Sequence, residues 1–251
     1  MSSGLKSLIH VLAKEEDAGG AWRTINGTPV FIKEGQSVAD AIEKRFDESP
    51  KKESSSPKAP SVDKGGKVVR FKSGAQADKL LKDSASQWSE GDGYFDNKVV
   101  KDYAGTSDSF LINKYLRTGQ GDKSLKDKAN ALAKVLDKTS FPMDAEVVRS
   151  INPKTPEERA AILKSFSVGN EFKDPAFTST TANAKYADEW ASKFKADPIK
   201  VTVEIPKGAK AAYLPKETVG KQEWEVLIQR GSTYRVKSVE GSHVTLELRA
   251  A

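Results

Sequence analysis

Two periodicities divide this chain, and their order constrains the fold more than any single motif does. From about residue 74 to 140 the apolar residues recur at helical spacing; beyond that, short alternating stretches dominate. Phe110, Leu111 and Ile112 with Tyr115 and Leu116 predict an amphipathic helix over 107–117. Ala129, Leu132, Ala133, Val135 and Leu136 predict another over 125–136. Ala145–Ile151 reads as a strand, and 155–166 as a helix with Thr155 as its cap and Pro156 at the first helical position. A strand or strand end at 177–181 and a helix at 184–194 follow. Ile199–Ile205, 223–229, 234–240 and 243–248 then read as strands. Helices first and short strands after, with tight connections, point to an α+β domain whose sheet is antiparallel and sandwich-like.

Residues 49–66 interrupt the pattern ahead of this domain. They are rich in Ser, Pro and Lys, with Val62 as the sole large apolar side chain. Such a segment cannot bury enough surface to offset its ordering entropy, so it is expected to be a flexible linker. The chain therefore divides into a module at 1–48, the linker at 49–66 and a main domain at 67–251. In the first module, Ala21 to Ile32 reads as a hairpin turning at Asn26-Gly27, followed by a helix over 37–46 that Ser37 can cap. A unit below about 50 residues is small for an independent core, which suits docking better than chemistry.

Composition removes several functions. There is no cysteine, hence no disulfide, thiolate metal site or thiol nucleophile. The two histidines, His10 and His243, are far apart and lack ligand-like neighbours, so no metal is expected and a Ser-His triad is disfavoured. A net charge of +6 spread over 41 basic and 35 acidic residues is a mixed surface and does not favour nucleic acid. No apolar stretch approaches the roughly 18–20 residues of a membrane span. Acidic residues follow the short apolar N-terminal patch where a signal peptide would carry its cleavage site, so export by that route is not expected.

The chemistry concentrates in Glu223-Trp224-Glu225, at the mouth of the apolar run Val226-Leu227-Ile228. On a strand the two carboxylates would share one face roughly 6–7 Å apart, with Trp224 on the other. Paired carboxylates can divide general-base work from electrostatic stabilisation of a developing cation. Glu-x-Glu is also common on solvated strand faces, so the pair alone leaves both readings open. Two further features bear on it: Arg149 leaving the apolar strand Val147-Val148, and the hydroxyl-rich run Thr178-Ser179-Thr180-Thr181 entered from Phe177.

In this order and spacing the chain resembles the arginine–serine–glutamate class of mono-ADP-ribosyltransferases, which includes clostridial binary toxins and several phage enzymes. Tyr103-Ala104-Gly105 through Ile112-Asn113-Lys114-Tyr115-Leu116-Arg117 is similar to that family's helical entry. Gly169, Phe172 and Asp174 ahead of Phe177-Thr178-Ser179-Thr180 resemble the approach to its serine strand; Gly231, Tyr234 and Val236 resemble the strand after the catalytic one. The resemblance covers about residues 95–250. It implies an ADP-ribosyltransferase-like split β-sandwich with an N-terminal helical subdomain, and NAD as substrate.

The resemblance also assigns roles. Glu225 would stabilise the oxocarbenium-like charge that develops when nicotinamide leaves the ribose, through the 2′-hydroxyl, and Glu223 would position or deprotonate the incoming nucleophile. Glutamate at the earlier position goes with arginine as acceptor. Arg149 would make charge-assisted bonds to the diphosphate, and Ser179 would hold the Glu225 rotamer. Ser150 stands where the family often has glycine, beside the cofactor. Tyr213 and residues 214–220 precede the catalytic strand, where the family carries a recognition loop, although strand packing equally accounts for Tyr213. Trp224 is expected in the core. An NAD glycohydrolase would use the same residues, and a virion structural protein could keep the fold without turnover.

The N-terminal run Trp22-Arg23-Thr24-Ile25-Asn26-Gly27-Thr28-Pro29-Val30-Phe31-Ile32 resembles the tails of phage minor head proteins of the Mu F-like and SPP1-like type. A generic hairpin reads the same way. The resemblance implies phage head proteins as partners of residues 1–48, with delivery of the enzyme into a host bacterium and host proteins as acceptors. An ordinary cytoplasmic location fits the same sequence.

Overall fold

The computed structural model describes residues 20–25, 28–33, 68–89, 93–105, 108–192, 197–215 and 223–249. β1 (Gly20–Ile25) and β2 (Thr28–Lys33) pair antiparallel as a sheet of their own, closing with Ile25 opposite Thr28. Asn26-Gly27, the helix expected over 37–46, the 49–66 segment and the 216–222 stretch lie outside the described residues.

The main sheet contains β3 (Val69–Arg70), β4 (Ala145–Ile151), β5 (Glu171–Lys173), β6 (Thr178–Thr181), β7 (Ile199–Ile205), β8 (Ala211–Leu214), β9 (Glu225–Ile228), β10 (Thr233–Glu240) and β11 (His243–Arg249). Their order is β5-β10-β11-β7-β4-β6-β9-β8, with β3 beside β4. β4 and β7 are laced together from Ala145 opposite Ile205 to Ile151 opposite Ile199. Between β4 and β6 the ladder shrinks to one pair, Val148 with Thr181. The sheet thus splits into a long-strand wing, β5-β10-β11-β7-β4, and a short-strand wing, β6-β9-β8.

Seven α-helices flank it among the described residues: α1 (Gly74–Leu81), α2 (Ser86–Ser89), α3 (Gly93–Gly105), α4 (Asp108–Thr118), α5 (Lys123–Asp137), α6 (Pro156–Ser165) and α7 (Ala184–Ala191). Their ends follow local chemistry. Asp122 caps α5 by accepting from Leu125 N at 2.9 Å. Thr155 caps α6 by accepting from Glu158 N at 3.2 Å, with Pro156 in the first turn and Glu157 and Glu158 at the positive end of the dipole.

Two apolar clusters hold these layers. Val147, Val201, Val203 and Ile205 of the long-strand wing meet Ala211, Tyr213, Val226 and Ile228 of the short-strand wing. On the other side of the short-strand wing, Ala212, Leu214 and Leu227 pack on Tyr103, Ile112, Leu132 and Leu136 of the helices. This is the α+β arrangement expected from the sequence, with an N-terminal helical layer against one half of a split sheet.

Two expectations need correction. The sheet is not wholly antiparallel: β11 runs parallel to β7, and β3 parallel to β4. Both pairs are joined through long crossovers, β3 to β4 by way of helices α1 to α5, which is what parallel neighbours require. The strand expected from 223 begins at Glu225, because Trp224 takes φ 48°, a left-handed conformation that ends extended backbone. Residues 211–214 form a further strand, β8, and Tyr213 is buried there, which is the strand packing left open for it by the sequence.

Candidate active site

The fork between the wings opens into a cleft of roughly 320 Å³, within the range of small-ligand sites. β4 supplies Arg149 and Ser150, β6 supplies Ser179, and the segment entering β9 supplies Glu223 and Glu225. All five residues expected from the sequence therefore reach one cavity. α3 lines it with Tyr103, and α7 with Tyr186 and Trp190.

Glu225 is buried, at 8% exposure, in a strand whose other members are fully enclosed. Burying a carboxylate is costly unless it is hydrogen-bonded. The register of β6 on β9 sets Thr181 opposite Glu225 and Ser179 opposite Leu227. Ser179 is thus diagonal to Glu225 on the same face, and its Oγ donates to Glu225 Oε1 at 2.7 Å. Behind it, Tyr103 stands beside Ser179 in the wall of the cleft. Burial, and then the charge of Glu225, push the Tyr103 phenol above its ordinary pKa and keep that proton in place. Asn113 Nδ2 donates to the Tyr103 hydroxyl at 2.9 Å, and Asn113 Oδ1 accepts from Phe177 N at 3.1 Å. Ser179 fixes the direction of the carboxylate, and Tyr103, itself held by Asn113, backs Ser179.

Glu223 reaches the cleft by a different route. The left-handed turn at Trp224 is pinned by β6: Thr181 Oγ1 donates to Glu223 O at 2.8 Å, and Ala182 N donates to Trp224 O at 2.9 Å. A non-glycine residue held at positive φ costs roughly 1–3 kcal/mol, and such strain gathers at functional sites. The Trp224 indole packs against the first apolar cluster, as expected for a core residue, and lies over Gly74. A Cβ on Gly74 would overlap the indole ring, so this helix start must be glycine.

Arg149 lies in the fork, next to the Val148–Thr181 rung. Its Nε is closed off from solvent and has no partner among the described residues. Nearby Arg117 is committed instead, with its Nε and Nη2 on the two oxygens of Asp174 at 3.3 and 3.1 Å. Burial, then the Arg117 charge, lower the pKa of Arg149, while Asp174 opposes them. Two guanidiniums against one carboxylate leave a cationic spot that an anion would complete. Ser150 Oγ donates to Ala187 O at 3.2 Å, which ties β4 to α7 and leaves Ser150 at the cleft wall. Tyr213 faces away, its hydroxyl on Asp78. Among the described residues no cluster of three or more His, Asp or Glu could hold a metal, and no helix is long and apolar enough to cross a membrane.

Sequence reasoning missed Tyr103, Asn113, Tyr186 and Trp190 as site residues. Tyr103 and Asn113 stood inside the similar helical segment and could have been found there. Tyr186 and Trp190 sit four apart on α7, and nothing local to their sequence reports what they face.

Known proteins place this geometry. The family described as ADP-ribosyltransferase exoenzyme matches residues 79–248. NAD(+)–arginine ADP-ribosyltransferase EFV of Enterococcus faecalis is 30% identical over 165 residues, covering 64% of this chain and 32% of that protein. The chain therefore spans about a third of that relative's length. Among solved structures, C3stau2 from S. aureus with NAD superposes with a TM-score of 0.60 at 21% identity, covering 74% of this chain and all of that one. The C3 exoenzyme of Clostridium limosum gives 0.59 at 18% identity, with 73% and 98% covered. At these identities the structures report the fold, and the sequence match reports the kinship: this chain belongs to the ADP-ribosyltransferase exoenzyme family.

Proposed function

We propose that the domain at 67–251 is an NAD-dependent mono-ADP-ribosyltransferase that modifies arginine on proteins. The observation that carries the reading is the bond from Ser179 to a buried Glu225, with Glu223 and Arg149 lining the same cleft. The site is suited to NAD: Arg149 lines a cleft of small-ligand size and gives it a cationic environment for a diphosphate. When bound, NAD supplies a nicotinamide–ribose bond whose cleavage leaves positive charge on the ribose.

The residues divide the work. Glu225, held by Ser179 with Tyr103 behind it, presents fixed negative charge where that cation develops, in a site with little water to screen it. Glu223 accepts a proton from the incoming guanidinium as its nitrogen bonds to the ribose anomeric carbon and the electron pair of the broken bond leaves with nicotinamide. Arg149 and Ser150 would hold the cofactor away from the reacting bond. The arginine-specific relative supports the acceptor assignment.

The proposal extends to setting. Resemblance of residues 1–48 to phage head proteins, joined through 49–66 to a transferase, supports packaging in a virion and delivery to host proteins. Mass spectrometry of purified virions tests that half separately.

Incubation of the purified chain and Glu225→Gln with labelled NAD and bacterial lysate tests the activity. Labelled protein should appear with the native chain and fall by at least about a hundredfold in the variant, the scale for removing an electrostatic stabiliser. Label equal in both would overturn the role of Glu225. NAD consumed with no protein labelled would make the chain an NAD glycohydrolase.

A further inference from the structure

Glu223 is the carboxylate that the acceptor would meet, yet none of the groups fixing Glu225 reaches it. What does so is α7. Tyr186 lines the cleft together with Glu223, near enough for the carboxylate's charge to act on its phenol. Its ring stands edge-on to Trp224, with centroids 6.0 Å apart and planes at 70°. The ring contact holds the phenol beside the Glu223 carboxylate. Burial, then the charge of Glu223, raise the Tyr186 pKa to about 12, so the hydroxyl stays a donor across any physiological pH. One turn on, Trp190 lies on the same helix face and lines the same cleft. This tryptophan is 43% exposed, a large ring presented where a ligand enters.

A carboxylate flanked by aromatic faces is selective. Guanidinium is planar and weakly hydrated; it stacks on aromatic rings while its edge bonds a carboxylate. An ammonium gives up more hydration to do the same. A hydroxyl or carboxamide gains little from the rings and brings no charge to Glu223. Serine, asparagine and lysine acceptors are therefore disfavoured by the wall of the site itself.

Resting on the transferase reading, we propose that Tyr186 and Trp190 of α7 form with Glu223 the slot for the acceptor guanidinium, Tyr186 being the positioning residue that aims Glu223. Ser179, backed by Tyr103, fixes Glu225 and serves the ribose. The two carboxylates thus take their orientation from different elements, β6 backed by α3 for one and α7 for the other.

Agmatine, a free guanidino amine, is the probe, used with NAD and the full chain. Trp190→Ala should raise the agmatine KM about five- to thirtyfold, the range of a desolvated cation–aromatic contact. The KM for NAD should move by less than about twofold, and Trp190→Phe should recover most of the loss. Tyr186→Phe should shift the partition of cleaved NAD from agmatine toward water by about tenfold, the lower end for losing one hydrogen bond to a charged group. A fold defect would lower both products together and leave the partition unchanged. A rise in the NAD KM with the agmatine KM unmoved would overturn the slot, and so would an unmoved partition in Tyr186→Phe. If the native chain cleaves no NAD, the transferase reading fails, and saturable quenching of tryptophan emission by agmatine reads the slot without turnover. Quenching weakened at least about fivefold by Trp190→Ala then supports it; absent or unaltered quenching overturns it.

Discussion

The two wings of the sheet bury their strands differently. In the long-strand wing β10 and β11 alternate, with Tyr234, Val236, Val244, Leu246 and Leu248 inward and polar neighbours outward. In the short-strand wing β8 and β9 are four residues each and buried throughout, because one face meets the other wing and the opposite face meets the helices. A strand enclosed on both faces is the most hostile place in the molecule for a charge. Glu225 occupies it, and its carboxylate is kept by Ser179, with Tyr103 and Asn113 behind. The contrast shows where the fold accepts an energetic cost, and that place is the cleft.

That contrast can be broken by measurement. Leu227→Ala removes a side chain enclosed on both sides and should cost about 4–5 kcal/mol, against about 2–3 for Leu246→Ala on the half-exposed wing. Urea unfolding of the two variants checks the order, and equal losses would mean that both wings are packed alike. Gly74→Ala forces the Trp224 indole to move and should cost about 1–3 kcal/mol as overpacking. Transfer should fall in that variant by more than its melting temperature implies, since Glu223 and Glu225 flank the displaced residue.

The smallest effect is one of pH. Tyr103 and Tyr234 are both held above the ordinary tyrosine value of 10.0, first of all by burial. The folded chain keeps protons that the unfolded chain releases. Their contribution to stability is whole below about pH 10 and is lost as pH rises from there toward the folded values. Tyr234→Phe should make that decline shallower by about 1.4 kcal/mol per pH unit, read from unfolding at pH 9, 10 and 11. An unaltered slope would show that Tyr234 does not carry it.

Legibility followed the same division. Ile199–Ile205 and Ala145–Ile151 stand at the residues their patterns indicate, and Thr155 caps its helix as the sequence says it should. Where both faces are buried the alternation vanishes, and with it the edges of strands. Tyr213 therefore reads as loop or strand alike, and the start of β9 is misplaced by two residues. No propensity announces a left-handed tryptophan; the conformation exists because Thr181 and Ala182 hold the carbonyls on either side and Gly74 makes room for the ring. Arg149, Ser179, Glu223 and Glu225 could be named because the spacing of a similar family supplied them. What orients them could not, since Tyr103 and Tyr186 act across 76 and 37 residues of chain, from Ser179 and Glu223 respectively.

The single rung between Val148 and Thr181 has a mechanical consequence. Arg149 lies one residue beyond it on one wing, and Glu225 lies opposite Thr181 on the other. A molecule gripping both would serve as a strut across the weakest seam of the sheet. Its affinity and the stiffness of that seam would then be one quantity, and slowed amide exchange on either side of the fork would report occupancy as directly as any assay of turnover.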